Sequence, residues 1–535
     1  MANVTFADLL LARAGDEHTG LRFEDESYTW AEVVTAARRR AGLLSPGTHV
    51  GVLLENVPEY VFWIGAAALA GATVVGINPT RRGQELAADI RHTDCELIVT
   101  DTAHATLLEG LDTGAGRVLL ADLMAEPPPP AEPARVDARD RLLLLFTSGS
   151  TGAPKAVSCG QGRLASIAVM SERMGITRDS VTYIAMPLFH GNAVMANLAM
   201  AVHAGATVAL RRKFSASGFL PDVRRFGVTY FNYVGRALAY ILATPGHPDD
   251  ADNTLQACFG TEASAQDLAR FSARFGCRII EGYGSSEGAI SLQKTPETPP
   301  DALGVPPPGV EVAVLDPETG AECPRARFDD HHGLLNPEAI GEIVGLNVAS
   351  AFEGYYKNPQ ADAERVRDGR YWSGDLGYRD EKGFFYFAGR GADRLRVDSE
   401  NFAAAPVERV LSRWPAVVMC AVYPVPDPRT GDQVMAALEL HGPFDPAAFA
   451  AFLAAQPDLG TKWAPRFVRI VPSMPLTATG KVDKRPLRRQ HWEAADPVWH
   501  RPGRALAYER LGPARAGAFR AEFGSHGRLH LLTTL

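Results

Sequence analysis

Four consecutive leucines and a phenylalanine, Leu142 to Phe146, run directly into Thr147-Ser-Gly-Ser-Thr-Gly-Ala-Pro-Lys155. This junction constrains the chain more than any other stretch. The short, wholly apolar run predicts a buried strand of a parallel sheet. The glycines after it let backbone fold closely around an anion and aim N–H groups at it. The hydroxyls of Thr147, Ser148, Ser150 and Thr151 add donors, and Lys155 adds a point charge. Such a loop suits a polyphosphate. The spacing is not that of a Walker loop, because no Gly-Lys-Ser/Thr follows four variable residues after a glycine. The alternative is a Gly/Ser surface turn.

A chain of 535 residues exceeds what one core organises, so at least two domains are expected. A formal charge of −8 and a pI near 6.0 argue against a nucleic-acid partner. Six scattered cysteines without a CxxC pair suggest neither a zinc site nor a disulfide framework, which fits a reducing, cytoplasmic location. The N-terminus lacks a basic start and a long apolar core, so no signal peptide is expected. Two uncharged stretches, Tyr60 to Ile77 and Val181 to Leu210, contain glycine, proline and polar residues. They read as α/β core rather than membrane spans, leaving at most peripheral membrane contact.

Up to about residue 140, candidate strands (THVGVLLEN, ATVVGINPT, CELIVTD) alternate with candidate helices (PEYVFWIGAAALAG, QELAADIRHTD). The alternation implies crossover units and parallel strands. It resumes after the phosphate loop. The helix in SASGFLPDVRRFG is expected to be capped by Ser215 or Ser217. Ligands of open α/β sheets sit beyond the carboxyl ends of strands. Four loops should therefore converge: Thr147–Lys155, Pro187–Asn192, Gly260–Ser264 and Gly282–Gly288.

The fold class expected is α/β. A large N-terminal α/β domain with parallel sheets (1–389) is followed by a hinge at 390–391. A small mobile α+β domain (392–490) and a C-terminal tail (491–535), packed on the small domain or the surface, complete the chain.

TSGSTGAPKAV resembles the phosphate-binding signature of the adenylate-forming superfamily, which contains acyl-CoA synthetases, firefly-type luciferases and peptide-synthetase adenylation domains. EGYGSSEGAI (Glu281–Ile290), YWSGDLGYRDEKGFFYFAGR (Tyr371–Arg390) and PLTATGKVDKRPLR (Pro475–Arg488) resemble its later motifs, in the family's order. KFSASGFLPDVRRFGVTYFNYVGRALAYILATP, RLRVDSENFAAAPVE and DPVWHRPGRALAYERL resemble the fatty acid transport protein and very-long-chain acyl-CoA synthetase branch.

The resemblance implies ATP, Mg²⁺ and coenzyme A as reactants and cofactors. It also implies residue roles. Thr147, Ser148, Gly149, Ser150, Thr151, Gly152, Lys155 and Ser286 would bind ATP phosphates. Glu287, with Thr147, would hold the metal. Gly260, Thr261, Glu262, Tyr283, Gly284, Asp375 and Arg390 would bind the adenine and ribose, with Tyr283 stacked on adenine, Asp375 accepting from the ribose hydroxyls and Arg390 helping to hold the nucleotide. Lys481, Glu287 and His190 would be catalytic. His190, Tyr233, Gly235 and Gly260 would line the acyl pocket; for His190 the alternative is a satisfied buried histidine. Ser399, Glu400 and Asn401 would line the coenzyme A tunnel.

The expected reaction is attack of a carboxylate, from a medium- to long-chain fatty or related acid, on the α-phosphate. Transfer of the acyl group to coenzyme A follows. Ser399 stands where relatives have glycine, which leaves open a second acceptor: an amine, a carrier-protein thiol or another small nucleophile. Gly284-Ser-Ser286-Glu-Gly288 also satisfies G-x-S-x-G, so a serine hydrolase is a rival reading, as is a fatty-acid carrier. Asp329-Asp330-His331-His332 reads as a solvated loop. A homodimer is allowed.

Overall fold

The protein is described here from a computed structural model. It describes residues 4–147, 155–234, 237–261, 263, 265–329, 334–390, 394–397, 400–428, 432–456, 459, 462–477, 480–503, 505–526 and 528–532. The chain divides into two compact units, Met1–Ser291 with Ser350–Val366, and Leu292–Ala349 with Arg367–Leu535.

In the first unit the expected alternation becomes two sheets. Val50, Val74 and Leu143 lie on neighbouring strands, His49–Leu53, Thr73–Gly76 and Arg141–Thr147, which pair in parallel. Lys155–Gly160 then returns antiparallel to Arg141–Thr147 at the sheet edge. Leu142–Leu145 are buried, as a run without polar alternation requires. The crossover helix Pro58–Ala70 starts with proline, whose missing N–H costs nothing in the first turn. It stops at Gly71, whose φ of 68° is a left-handed cap. Tyr60–Ile77 is thus a helix passing into a strand, and no described helix is long and apolar enough to cross a membrane.

In the second sheet Val181–Ile184, Tyr230–Val234, Ala257–Thr261 and Arg278–Gly284 run parallel side by side. Val181–Ile184 pairs on its other side with Thr207–Leu210. The helix after Ser215 begins at Phe219 with Gly218 as its cap, not Ser215 or Ser217. Ser215 instead accepts the Gly218 N–H at 3.1 Å, closing the turn just before the helix.

The second unit holds an antiparallel sheet in which Gly341–Gly345, Arg370–Arg379 and Phe385–Arg390 are neighbours. A five-stranded sheet follows, built on Val417–Pro426, Asp432–Leu440 and Phe467–Ile470. The tail, which has little periodicity in sequence, adds Val498–His500 and Glu509–Arg510 to this sheet and forms the helix Pro513–Ser525. Its strands are too short to show a period. All six cysteines are free thiols.

Candidate active site

The loops after Ile184, Val234, Thr261 and Gly284 leave the same end of four adjacent parallel strands. Asn56 pins the first of them. Its buried side chain donates to the Met186 carbonyl at 2.9 Å and accepts the Leu188 N–H at 2.9 Å. The next turn, His190–Gly191–Asn192, packs closely against the neighbouring elements. A Cβ on Gly191 would stand 2.9 Å from Ser286 Oγ and 3.5 Å from Leu145 Cδ1. The strand leading to the phosphate loop and the Gly282–Gly288 loop therefore meet at this turn.

Glu287 is the most strongly prepared group of the site. It is buried, and its carboxylate accepts the Tyr355 hydroxyl at 2.8 Å. Arg365 Nε donates to the same hydroxyl oxygen at 3.2 Å. Burial alone would raise the Glu287 carboxyl. The Tyr355 hydroxyl, its own backbone N–H and the Arg365 guanidinium outweigh this and bring it below the ordinary carboxylate range. A buried, ionised oxygen ligand fits a hard divalent cation.

Lys155 is also buried. Its ammonium pairs with Glu364 at 3.0 Å and sits 5.3 Å over the Tyr355 ring. Tyr355 thus stands between the phosphate-loop lysine and Glu287. Thr147 ends its strand, with its hydroxyl 3.5 Å from the Lys155 carbonyl.

Arg163, on the helix Gln161–Ala168, ties the strand Lys155–Gly160 to the Gly282–Gly288 loop. It donates to the Ser158 carbonyl at 3.0 Å and to the Ser286 carbonyl. A Cβ on Gly288, whose φ is 67°, would collide with its guanidinium at 2.2 Å. After Ser286 the chain makes a turn rather than a helix. The strand–turn–helix of a nucleophile elbow is absent at Gly284–Gly288, which removes the hydrolase reading's structural basis.

Gly260 lies in register between Tyr233 and Glu281 on adjacent strands. The Tyr233 ring covers it and its hydroxyl reaches Glu281 at 3.5 Å. Replacing Gly260 by alanine would put Cβ 2.5–2.6 Å from that buried ring. Gly260→Ala is expected to lower stability by about 1–3 kcal/mol, read as a fall in melting temperature. An unchanged melting temperature would mean that the ring moves aside freely. Thr261 and Tyr283 are half-buried near the ends of their strands, and Gly284 is exposed.

In the second unit Gly374, with φ 75°, donates its N–H to Glu342 at 2.7 Å. Ser373 Oγ takes the Asp375 N–H at 3.1 Å, fixing the kink that carries this half-buried aspartate. The backbones of Asp375 and Arg390 are register partners in the antiparallel strand pair. Lys481 sits on a small hairpin. Its N–H donates to Thr477 Oγ1 at 3.1 Å and its carbonyl accepts the Thr477 N–H at 2.7 Å. Gly480 supplies the φ of 79° at the turn.

Ser148, Gly149, Ser150, Thr151, Gly152, Gly235, Glu262 and Ser399 lie outside the described residues, as do Asp330, His331, His332 and the hinge residue Gly391. Glu400 and Asn401 open the strand Glu400–Ala403. Tyr355, Arg365, Glu364 and Arg163 belong to no motif singled out in the sequence. Tyr355 is 68 residues from Glu287, so no local pattern could join them.

Residues 11–356 match the AMP-binding enzyme family and residues 406–481 its C-terminal domain. The chain belongs to the AMP-binding enzyme family. This AMP-binding enzyme is 53% identical to a steroid-22-oyl-CoA synthetase of Rhodococcus jostii, over 99% of each chain. It is 45% identical to the medium/long-chain-fatty-acid–CoA ligase FadD17 of Mycobacterium marinum, over 93% of this chain and 98% of that one. Among solved structures, ATP-bound MatB from Rhodopseudomonas palustris superposes with a TM-score of 0.79 at 25% identity, covering 91% of this chain and 99% of MatB. The expected superfamily and α/β fold are borne out.

Proposed function

We infer that this AMP-binding enzyme activates a large apolar carboxylic acid with ATP and passes the acyl group to coenzyme A. The acid is of the steroid-22-oic type. One observation carries the reading: the buried, ionised Glu287 set by Tyr355 beside Lys155, in a chain that is 53% identical to a steroid-22-oyl-CoA synthetase along its length.

In the first step a carboxylate oxygen attacks the α-phosphorus and pyrophosphate leaves. The substrate supplies the nucleophile, so the protein's task is placement and charge stabilisation. Lys155, Ser286 and the loop Thr147, Ser148, Gly149, Ser150, Thr151 and Gly152 hold the phosphates. Glu287, with Thr147, holds Mg²⁺, which neutralises phosphate charge when bound. Gly260, Thr261, Glu262, Tyr283, Gly284, Asp375 and Arg390 bind the adenine and ribose, with Tyr283 on the adenine and Asp375 on the ribose hydroxyls. Lys481 stabilises charge on the transferring oxygens. In the second step the coenzyme A thiolate, entering along a tunnel lined by Ser399, Glu400 and Asn401, attacks the acyl carbonyl, and the acyl–phosphate bond breaks as AMP leaves. His190, Tyr233, Gly235 and Gly260 border the acyl pocket. The small domain, 392–490, rotates about 390–391 between the steps.

A second reading, a medium- or long-chain fatty acid as substrate, is supported by the 45% identity to FadD17. ATP–pyrophosphate exchange over a panel of steroid acids and straight-chain acids separates the two. Fastest exchange with a steroid-22-oic acid is expected. Exchange confined to straight-chain acids would assign the second reading, and exchange with no acid would contradict both.

A further inference from the structure

Three asparagines form a chain of hydrogen bonds through an otherwise apolar wall of the first unit. Asn197 and Asn232 are fully buried, and Asn192 is half-buried in the turn against Ser286. Asn197 Nδ2 donates to the Tyr183 carbonyl at 3.1 Å and to Asn232 Oδ1 at 2.7 Å. Asn232 Nδ2 donates to Asn192 Oδ1 at 2.6 Å.

The direction of this chain is fixed at its inner end. A carbonyl can only accept, so Asn197 must turn its NH₂ toward Tyr183. That presents an NH₂ to Asn232, which must answer with its oxygen, and so offers its own NH₂ to the oxygen of Asn192. The Asn192 NH₂ is left pointing away from the relay, with no hydrogen bond among the described residues. Asn197 Oδ1 is buried without a partner among the described residues, a cost the core carries while this orientation is kept.

The backbone is shaped for the relay. Residues five apart on an α-helix lie about 140° round the axis from each other and could not both reach Asn232. Val194–Leu198 is a π-turn, closed by the Ala199 N–H on the Val194 carbonyl, five residues back. The wider turn brings Asn192 and Asn197 toward one face, and the Tyr230 hydroxyl satisfies the Ala196 carbonyl at 2.9 Å.

We propose that Asn192 is a substrate-binding residue whose NH₂, oriented by Asn232 and Asn197, donates to the carboxylate of the incoming acid. The proposal rests on the adenylation reading above. The turn it occupies touches Ser286, so a carboxylate held there lies next to the phosphate-binding loop.

The test compares KM for the acid and for ATP in pyrophosphate exchange. Wild-type exchange establishes the adenylation reading independently of the variants. Asn192→Leu is expected to raise the acid KM about tenfold to a hundredfold, with the ATP KM within about twofold. Asn192→Asp keeps size and can still accept from Asn232, so a purely structural role would tolerate it. The proposal instead expects a loss at least as large as that of Asn192→Leu. Asn232→Asp removes the donor that fixes Asn192, lets its amide flip to present oxygen, and should raise the acid KM alone; the two Asn192 variants decide the matter if this protein does not fold. An acid KM unchanged in Asn192→Asp, or a rise confined to the ATP KM, would overturn the proposal.

Discussion

Lys481→Ala is expected to lower acid-dependent adenylation by about a hundredfold to a thousandfold, the usual scale for removing one preorganised charge or donor from a transition state. Thioester formation from supplied acyl adenylate should survive. The hairpin explains why the variant should fold. Thr477 accepts the Lys481 N–H through its hydroxyl and donates its own N–H to the Lys481 carbonyl, and both of these bonds use the lysine backbone, which alanine keeps. The helix that follows, Lys484–Gln490, is capped independently by Asp483, which accepts the Arg485 N–H at 3.1 Å. Lys484 pairs with Glu408 at 2.9 Å and holds the segment in its own unit. Loss of both half-reactions together would point to a damaged fold, and retained adenylation would remove Lys481 from the first step.

Glu287→Gln should be comparably severe, with a drop in kcat of about a hundredfold or more and a raised Mg²⁺ requirement. Glutamine keeps the size of the side chain and an oxygen for the Tyr355 hydroxyl at 2.8 Å, so packing changes little. What disappears is the charge that Tyr355, Arg365 and the local N–H sustain in a buried position. Magnesium titrations of pyrophosphate exchange read the effect directly. A variant with wild-type Mg²⁺ dependence would show that the cation is held elsewhere.

The parts of this molecule that were legible in sequence are those carried by short-range chemistry. The leucine run before Thr147 and the alternation of PEYVFWIGAAALAG with ATVVGINPT specify parallel strands through burial and crossover length alone. Lys155 stands out from its glycine- and hydroxyl-rich loop behind a buried strand, whereas Glu287 and Lys481 are picked out by the resemblance of their motifs to those of the adenylate-forming superfamily. The braces were hidden. Tyr355 joins Glu287 across 68 residues and Asn232 joins Asn192 across 40, and neither tyrosine nor asparagine marks its partner locally. The cap of the helix Phe219–Phe226 was misplaced for a related reason: both candidates, Ser215 and Ser217, lie within one turn of the true cap Gly218, and the hydroxyl at Ser215 closes the turn rather than the helix. The π-turn at Val194–Leu198 is invisible to a 3.6-residue period, because every residue in it but Asn197 is apolar.

The most direct test of the central claim is AMP release with a steroid-22-oic acid, measured with and without coenzyme A, with the thioester product identified by mass. One AMP-equivalent of adenylate held per site without coenzyme A, and continuous turnover to the acyl-CoA with it, is the predicted result. Adenylation that coenzyme A does not accelerate would contradict it, and would assign the acyl group to another acceptor at the Asp398–Asn401 segment.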